Sequence, residues 1–153
     1  MGTNYWMFVE NKENSEITRN LNYELFGVGS KYKRRAQRMK KNDRVIFYTR
    51  TLKAWTATAT IKEECFEDRS QTWLPKEKID EFKYRVTLKP NHVLEESNFL
   101  NASYIGPRLE YVKKWIPEDW HLAFWDTLHL LPQKDFKLLE DSIKKYPSIK
   151  IKK

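Results

Sequence analysis

Short apolar runs separated by polar connections dominate the first ninety residues, and their spacing predicts about five β-strands. Tyr5–Val9 is apolar at every position, which is typical of a strand buried on both faces. Trp55–Ile61 instead alternates, with Trp55, Ala57, Ala59 and Ile61 on one side and threonines on the other. The five predicted strands are Tyr5–Val9, Tyr23–Val28, Arg44–Thr49, Trp55–Ile61 and Phe82–Lys89, the last of them ended by Pro90.

Segments with helical spacing lie between and after these strands. Ser30 is a candidate N-cap for a helix over Lys31–Met39, in which apolar positions share one face and cations the other. A short helix is predicted over Glu16–Asn20, and Pro132 precedes a final helix over Gln133–Tyr146. The inward stripe of that final helix is predicted to be Phe136, Leu139 and Ile143.

A few twisted strands with short helices between them and a helical tail favour the α+β class. We predict a small, partly closed mixed β-barrel with flanking short helices. A chain of 153 residues without repeats is expected to form a single domain over 1–153.

The composition favours an anionic partner. The formal net charge is +8 and the sequence pI is about 9.5, so phosphate-rich molecules are attracted to the protein. One cysteine, Cys65, excludes a disulfide within the chain and favours a reducing compartment. No apolar stretch reaches the roughly 18 residues of a membrane span, and the N-terminus lacks a signal-peptide pattern. We therefore expect a cytoplasmic location and no membrane partner.

The segment Tyr23–Asp43 concentrates the charge beside an aromatic strand end. Seven of the eleven residues from Lys31 to Lys41 are Lys or Arg, and they follow Phe26-Gly27-Val28-Gly29 directly. A flat base can stack on aromatic rings while cations hold its phosphates. The predicted phosphate-binding residues are Lys31, Lys33, Arg34, Arg35 and Arg38.

Catalytic and metal-binding patterns are missing from the sequence. His92, His121 and His129 do not pair with one another or with Cys65 at metal-ligand spacing. No nucleophile elbow, dinucleotide fingerprint or phosphate-cradling glycine loop is present. The sequence therefore predicts no metal, no cofactor and no catalytic residue.

Four segments, in order along the chain, resemble the EVE domain family in its archaeal and bacterial form. They are Tyr5–Asn11, Phe26-Gly27-Val28 with the basic stretch behind it, Asp43–Tyr48, and Trp120-His121-Leu122-Ala123-Phe124. The resemblance implies a PUA-like fold and a relationship to YTH domains, which hold an N6-methylated adenine in an aromatic cage. It also implies binding of a modified base in DNA or RNA.

The resemblance implies a set of pocket residues, with one departure from the family pattern. Asn11 corresponds to a base-contacting polar position, although it is also suited to ending a strand. Phe26 stands where relatives carry a tryptophan, in a Trp-Asp-Gly-Val segment whose Asp is also missing here. Trp73 and Trp120 are alternative second walls, and the EVE pattern favours Trp120. The complete predicted pocket is Trp6, Asn11, Phe26, Val28, Tyr48 and Trp120.

We conclude from the sequence that the protein is a nucleic-acid-binding domain that accepts a flipped, modified base, either in DNA or in RNA. One alternative is an enzyme acting on a nucleotide or modified base, with Glu10 or His121 as general base. A buried carboxyl with a perturbed pKa at the cavity would favour it. The other alternative is a protein-interaction domain, which an exposed aromatic patch away from the basic helix would favour.

Overall fold

The computed structural model describes residues 2–74, 82–113 and 117–149, and within them the chain forms eight strands and several short helices. The strands are β1 (Tyr5–Glu10), β2 (Leu25–Val28), β3 (Arg44–Thr49), β4 (Ala54–Ile61), β5 (Phe66–Glu67), β6 (Tyr84–Val93), β7 (Leu100–Asn101) and β8 (Leu128–Leu131). The α-helices are α1 (Lys12–Asn20), α2 (Lys33–Arg38), α3 (Ala102–Ile105) and α4 (Gln133–Ile143). Turns of 3₁₀-helix cover Ser30–Tyr32, Glu96–Asn98, Gly106–Arg108, Glu110–Val112 and Pro117–Phe124. None of the described helices is long and apolar enough to cross a membrane.

A single mixed sheet organises the fold, with the order β2-β6-β4-β3-β1-β8. β1 pairs in parallel with β3, and the remaining pairs are antiparallel. The small strands β5 and β7 pair with β6 and β4. The sheet curls into a half-barrel, which confirms the predicted α+β class and the small mixed barrel. β1 and β2 are separated by three strands in this order, and the curl brings Phe8 of β1 into stacking contact with Phe26 of β2.

Both faces of the sheet are buried, and this explains the apolar run of β1. Trp6 and Phe8 point into the core inside the curl, together with Phe26 and Phe47. Met7 and Val9 point to the opposite face, where α4 packs its stripe of Phe136, Leu139 and Ile143. The predicted inward stripe of the final helix is therefore confirmed.

Several element boundaries differ from the sequence prediction, including the starts of β2 and β6 and the end of α4, and three differences bear on the site or have a visible cause. α1 begins at Lys12, because the Asn11 side chain caps it by accepting a hydrogen bond from the Asn14 N–H at 2.9 Å. The predicted basic helix is split into a 3₁₀ turn and the six residues of α2. Pro90 does not end β6, because an irregularity in the pairing with β4 at this point accommodates a residue without an N–H.

The Asp43 side chain anchors the N-terminal end of β1. Its buried carboxylate accepts hydrogen bonds from the Asn4 and Lys40 N–H groups and from the Trp6 indole, at 3.0–3.1 Å. A buried charge is stable only when such donors surround it. The indole N–H of Trp6 is therefore used inside the core.

We expect Asp43→Ala to destabilise the fold by about 3 kcal/mol, because it leaves buried donors without an acceptor. Urea denaturation of the purified protein measures this loss. Asp141→Ala, on the exposed face of α4, is the matched control and should change stability by less than about 0.5 kcal/mol. Equal stability of the two variants would contradict this role for Asp43.

Candidate functional site

A cavity of about 530 Å³ opens where β1 and β2 end and the loop after β5 folds back. We call it the first cavity. Its walls are Asn11, Asn14, Phe26, Gly27, Tyr32, Trp73 and Phe82, with Glu10 among the buried lining residues and Lys31 and Arg50 among the more exposed ones. A planar group the size of a nucleobase fits a pocket of this volume.

Three residues of the predicted pocket and phosphate-binding sets line this cavity, namely Asn11, Phe26 and Lys31, and so do Trp73 and Glu10, which the sequence offered as alternatives. Asn11 is exposed, and its Oδ1 is occupied by the cap of α1. Its Nδ2 donates no hydrogen bond within the described part of the chain. The capping interaction therefore holds the side chain in place and leaves an amide donor for a ligand.

Trp73 forms the second aromatic wall, the alternative that the EVE pattern ranked below Trp120. Its indole N–H donates to the Thr18 hydroxyl at 3.0 Å. The backbone N–H of the next residue, Leu74, donates to the Asn14 Oδ1 at 2.7 Å, and the Leu74 carbonyl oxygen accepts from the Asn14 Nδ2 at 2.8 Å. These contacts anchor the Trp73 loop to α1.

A buried arginine completes the support of this loop. Arg85 on β6 is 1% exposed and donates to the Phe82 and Ser70 carbonyl oxygens and to the Ser70 and Thr72 hydroxyls. Its guanidinium also lies 5.0 Å from the centre of the Trp73 ring. Planar guanidinium groups combine stacking with several fixed donors, which lysine cannot do.

Gly27 allows the loop to approach β2. A Cβ at this position would lie 2.5 Å from the Phe82 carbonyl oxygen and 2.9 Å from the Trp73 ring. These distances are shorter than real Cβ contacts, so the residue at 27 must be glycine for Trp73 and Phe82 to occupy their positions.

The aromatic walls do not form a parallel sandwich. Phe26 stacks on Phe8 at 4.1 Å, and the Phe26 and Trp73 centroids are 6.4 Å apart with their planes inclined by 63°. Both rings are almost completely buried by the protein. A base in the first cavity would therefore meet their edges and the half-buried rings of Tyr32 and Phe82.

Glu10 is the buried titratable group of the cavity, with only 7% of its surface exposed. The Thr18 hydroxyl donates to its Oε2 while accepting the Trp73 indole N–H. Burial raises the pKa of Glu10 from 4.5 to about 8, with the Thr18 hydrogen bond opposing the rise. Glu10 is therefore largely an uncharged acid at neutral pH.

The other four predicted pocket residues lie elsewhere. Trp6 and Val28 are buried inside the curl. Tyr48 points to the opposite face of the sheet, since side chains alternate along β3, and packs against Trp55 and Phe124. Trp120 packs on Phe124 with a centroid distance of 5.9 Å and covers Gly106. The first cavity therefore contains two of the six residues, Asn11 and Phe26.

The predicted phosphate-binding cations are distributed over different surfaces. Lys31 lies beside the first cavity and pairs with Asp126 at 3.3 Å. Lys33 lies 5.9 Å from the Tyr84 ring centre, and Arg34 is exposed. Arg35 and Arg38 line another cavity of about 510 Å³, the second cavity, together with Trp6, Leu122, Trp125, Asp126, His129 and Leu130.

No group of three His, Cys, Asp or Glu side chains within residues 2–74, 82–113 and 117–149 is arranged to hold a metal ion. His121, the other candidate general base, lies beside Trp120 and does not line the first cavity.

The half-barrel with flanking short helices and a cavity at its open edge defines a PUA-like domain. The EVE domain profile matches residues 4–113, so the chain belongs to the EVE domain family. This confirms the resemblance found in the sequence. No curated protein matches the sequence.

Solved structures with the same fold include YTH domains. The Toxoplasma CPSF4 YTH domain in its apo form has a TM-score of 0.70 at 10% identity, covering 96% of this chain and 89% of that chain. The Mmi1 YTH domain has a TM-score of 0.60 at 14% identity, with coverages of 94% and 76%. A hypothetical protein from Leishmania major has a TM-score of 0.64 at 14% identity, with coverages of 94% and 96%.

Several cavity residues were not predicted from the sequence, and they come from separate parts of the chain. Asn14 lies on α1 and Tyr32 in the 3₁₀ turn before α2, whereas Arg50 directly follows β3 and Phe82 lies in the loop before β6. Tyr32 matched the inward stripe of the basic helix, and this pattern does not distinguish a core residue from a cavity wall. The sequence patterns around Asn14, Arg50 and Phe82 are those of ordinary surface or core residues and do not indicate a cavity.

We expect Gly27→Ala to destabilise the fold by about 1–3 kcal/mol, because the added methyl group displaces the Trp73 loop. Thermal or urea unfolding measures the loss, and a change in tryptophan emission reports the loop. Gly2→Ala is the control, since a Cβ there meets nothing within 4 Å. A Gly27→Ala protein with unchanged stability and emission would show that the close approach is not needed.

We expect Glu10→Gln to increase stability at alkaline pH. The folded-state pKa lies above the unfolded value, so the wild-type protein loses stability as pH rises from about 4.5 to about 8. The full shift corresponds to roughly 5 kcal/mol, and the neutral variant avoids this loss. Urea unfolding at pH 4 and at pH 9 measures the difference between the two proteins.

The gain in the free energy of unfolding of Glu10→Gln over the wild-type protein should be near zero at pH 4 and several kcal/mol at pH 9. Glu16→Gln, at an exposed position of α1, is the matched control and should show no such pH dependence. A gain of the same size at both pH values would contradict a raised pKa for Glu10.

Proposed function

We propose that this EVE domain binds single-stranded nucleic acid and accepts one flipped, modified base in the first cavity. The observation that carries the proposal is the convergence of Asn11, Phe26 and Trp73 on a base-sized cavity beside Lys31 and Arg50. Aromatic walls supply contact area, an amide supplies hydrogen bonds, and cations supply attraction for phosphates.

The related folds support a nucleic-acid ligand. Among the structural neighbours, the Toxoplasma CPSF4 YTH domain has been solved in complex with a 7 mer m6A-modified RNA, and the Mmi1 YTH domain with RNA. The net charge of +8 on the present chain is consistent with a polyanionic partner. RNA is the first class to test, with DNA as its comparison.

Two hydrogen-bonding groups are placed to recognise the edge of the base. The free Nδ2 of Asn11 is a donor, and Glu10, while uncharged, carries a proton that it can also donate. Its Oε2 is bound by Thr18, which leaves Oε1 without a partner among the described residues. Both groups suit acceptor atoms, such as ring nitrogens or carbonyl oxygens of a base.

Flipping a base out of its stack costs a few kcal/mol, and the cost is least in a single strand or loop. Stacking on a ring returns roughly 1–3 kcal/mol per base, and the half-buried rings of Tyr32 and Phe82 are the ones available for it in the first cavity. The exposed Lys31 side chain and the half-buried Arg50 are placed to contact the phosphates that flank the inserted nucleotide.

A second candidate function is an enzyme acting on the same base. Glu10 favours it, because it is a buried carboxyl with a raised pKa that lines the cavity. It would act as a general acid or base on a nucleotide. Turnover of a modified nucleoside, lost in Glu10→Gln, would establish this alternative in place of simple binding.

The test is binding of short labelled oligonucleotides, with and without methylated adenine or cytosine, as RNA and as DNA, across a salt series. We expect a preference for one modified base that persists at high salt, since contacts with the base itself release few counterions. Weak binding to every oligonucleotide, lost steeply with salt, would show that the surface cations act alone.

We expect Asn11→Ser to reduce the discrimination between modified and unmodified strands about tenfold, since it removes the amide donor from the cavity. Serine still caps α1, so the variant should remain folded. Asn101→Ser is the matched control, because Asn101 caps α3 in the same way, accepting from the Ser103 N–H at 2.8 Å. Equal discrimination by both variants would exclude Asn11 from base recognition.

A further inference from the structure

The second cavity combines an exposed aromatic ring with two arginines. The Trp125 side chain is 64% exposed, and the partly exposed Leu122 and Leu130 lie in the same cavity. Arg35 and Arg38 project from α2 into it. A large exposed indole beside arginines suits the stacking of a base with its phosphate held nearby.

Arg38 is the less constrained of these two cations. It makes no hydrogen bond or ion pair within residues 2–74, 82–113 and 117–149. Arg35 uses one nitrogen to donate to the Leu128 carbonyl oxygen at 2.9 Å, which holds its guanidinium at the cavity wall. An anion in the second cavity would therefore find one fixed and one adaptable cation.

The remaining charges in the second cavity do not cancel these cations. Asp126 is paired with Lys31 and accepts a hydrogen bond from the Tyr32 hydroxyl at 3.3 Å. His129 donates from Nε2 to the Asp126 carbonyl oxygen and accepts the Tyr111 hydroxyl at Nδ1, both at 2.7 Å. Burial lowers the pKa of His129, which favours the neutral imidazole. The net charge of the lining is therefore positive.

The two cavities are neighbours separated by a thin wall of side chains. Tyr32 and Thr127 line the first cavity, while Asp126 lines the second, and the Tyr32 hydroxyl bonds both Asp126 and the Thr127 N–H. Arg50 of the first cavity lies 5.3 Å from the Trp125 ring centre. The two cavities therefore lie close enough for neighbouring parts of one ligand to occupy both.

We propose that the second cavity binds another nucleotide of the same strand, with its base on Trp125 and its phosphate on Arg35 and Arg38. The inference rests on the proposed function, because it requires a nucleic-acid ligand in the first cavity. The proposal assigns Arg35 and Arg38 to this neighbouring nucleotide and leaves Lys31 and Arg50 to the nucleotide whose base is flipped into the first cavity.

The test compares two probes, a random-sequence eight-nucleotide RNA and a mixture of nucleoside monophosphates that includes methylated ones. We expect Trp125→Ala to weaken binding of the RNA about tenfold, because one stacked base is lost. Binding of the monophosphates should change less than twofold. Tyr104→Ala is the matched control, since the Tyr104 ring is 82% exposed outside both cavities.

A second pair of variants tests the phosphate contact. Arg38→Gln should reduce the slope of log affinity against log salt for the RNA by about 0.7, as expected for one contact with a single strand. Arg108→Gln, at an exposed position away from the cavity, should leave the slope unchanged. The side chains changed in the two pairs of variants, those of Trp125, Tyr104, Arg38 and Arg108, are all exposed, so their loss is not expected to unfold the protein.

The outcomes separate the two proposals. Weaker RNA binding by Trp125→Ala than by Tyr104→Ala, with monophosphate binding retained, supports the second nucleotide site. Equal RNA binding by these two variants overturns it and leaves the proposed function intact. A wild-type protein that binds neither probe overturns the proposed function, and the inference with it.

Discussion

The candidate site depends on one buried guanidinium. Arg85 enters the core on β6, where it stands opposite Gly27 of β2, and its donors are directed to the loop that carries Trp73. A fully buried arginine is tolerated only when its N–H groups are satisfied. The loop that satisfies them lies against Gly27 of β2, and its Trp73 and Phe82 side chains form one side of the first cavity. The hydrogen bonding of the buried guanidinium and the shape of the site are therefore linked.

A second network ties the same loop to α1. The Thr18 hydroxyl joins the Trp73 indole to Glu10, and Asn14 joins the Leu74 backbone to the first turn of the helix. These hydrogen bonds join the loop to α1 and to Glu10, whereas the buried Nε of Arg50, on the same cavity, has no hydrogen-bond partner among the described residues. Paired polar groups make a wall rigid, and a preorganised wall costs less to order when a ligand enters.

The basic segment shows how one sequence motif can serve two surfaces. Lys31, in the 3₁₀ turn, and Arg35, in α2, both lie against the Tyr32 ring, at 5.4 and 5.6 Å from its centre. Lys31 reaches the first cavity, and Arg35 with Arg38 reaches the second. Among the exposed aromatic residues, Trp125 lies beside these arginines, while Tyr104 is a single ring outside both cavities. This arrangement favours a nucleic-acid ligand over the protein-interaction alternative.

The strands β1, β3 and β4 and the inward stripe of α4 followed from the sequence, because alternating and continuous apolar patterns reflect burial directly. The EVE family also followed from the sequence, because segments typical of the family occur in the same order along this chain. Asn11, directly after β1, and Phe26, within β2, were both named from the sequence and both line the first cavity, while their role in binding a base stays a prediction. Only the tertiary structure shows that Trp73 lines the first cavity and that Trp120 does not, because the Trp73 loop is held there by Arg85, Thr18 and Asn14, which are distant in the sequence. A tryptophan carries the same local signal whether it packs in a core, walls a cavity or faces solvent, and only its neighbours in space distinguish the three.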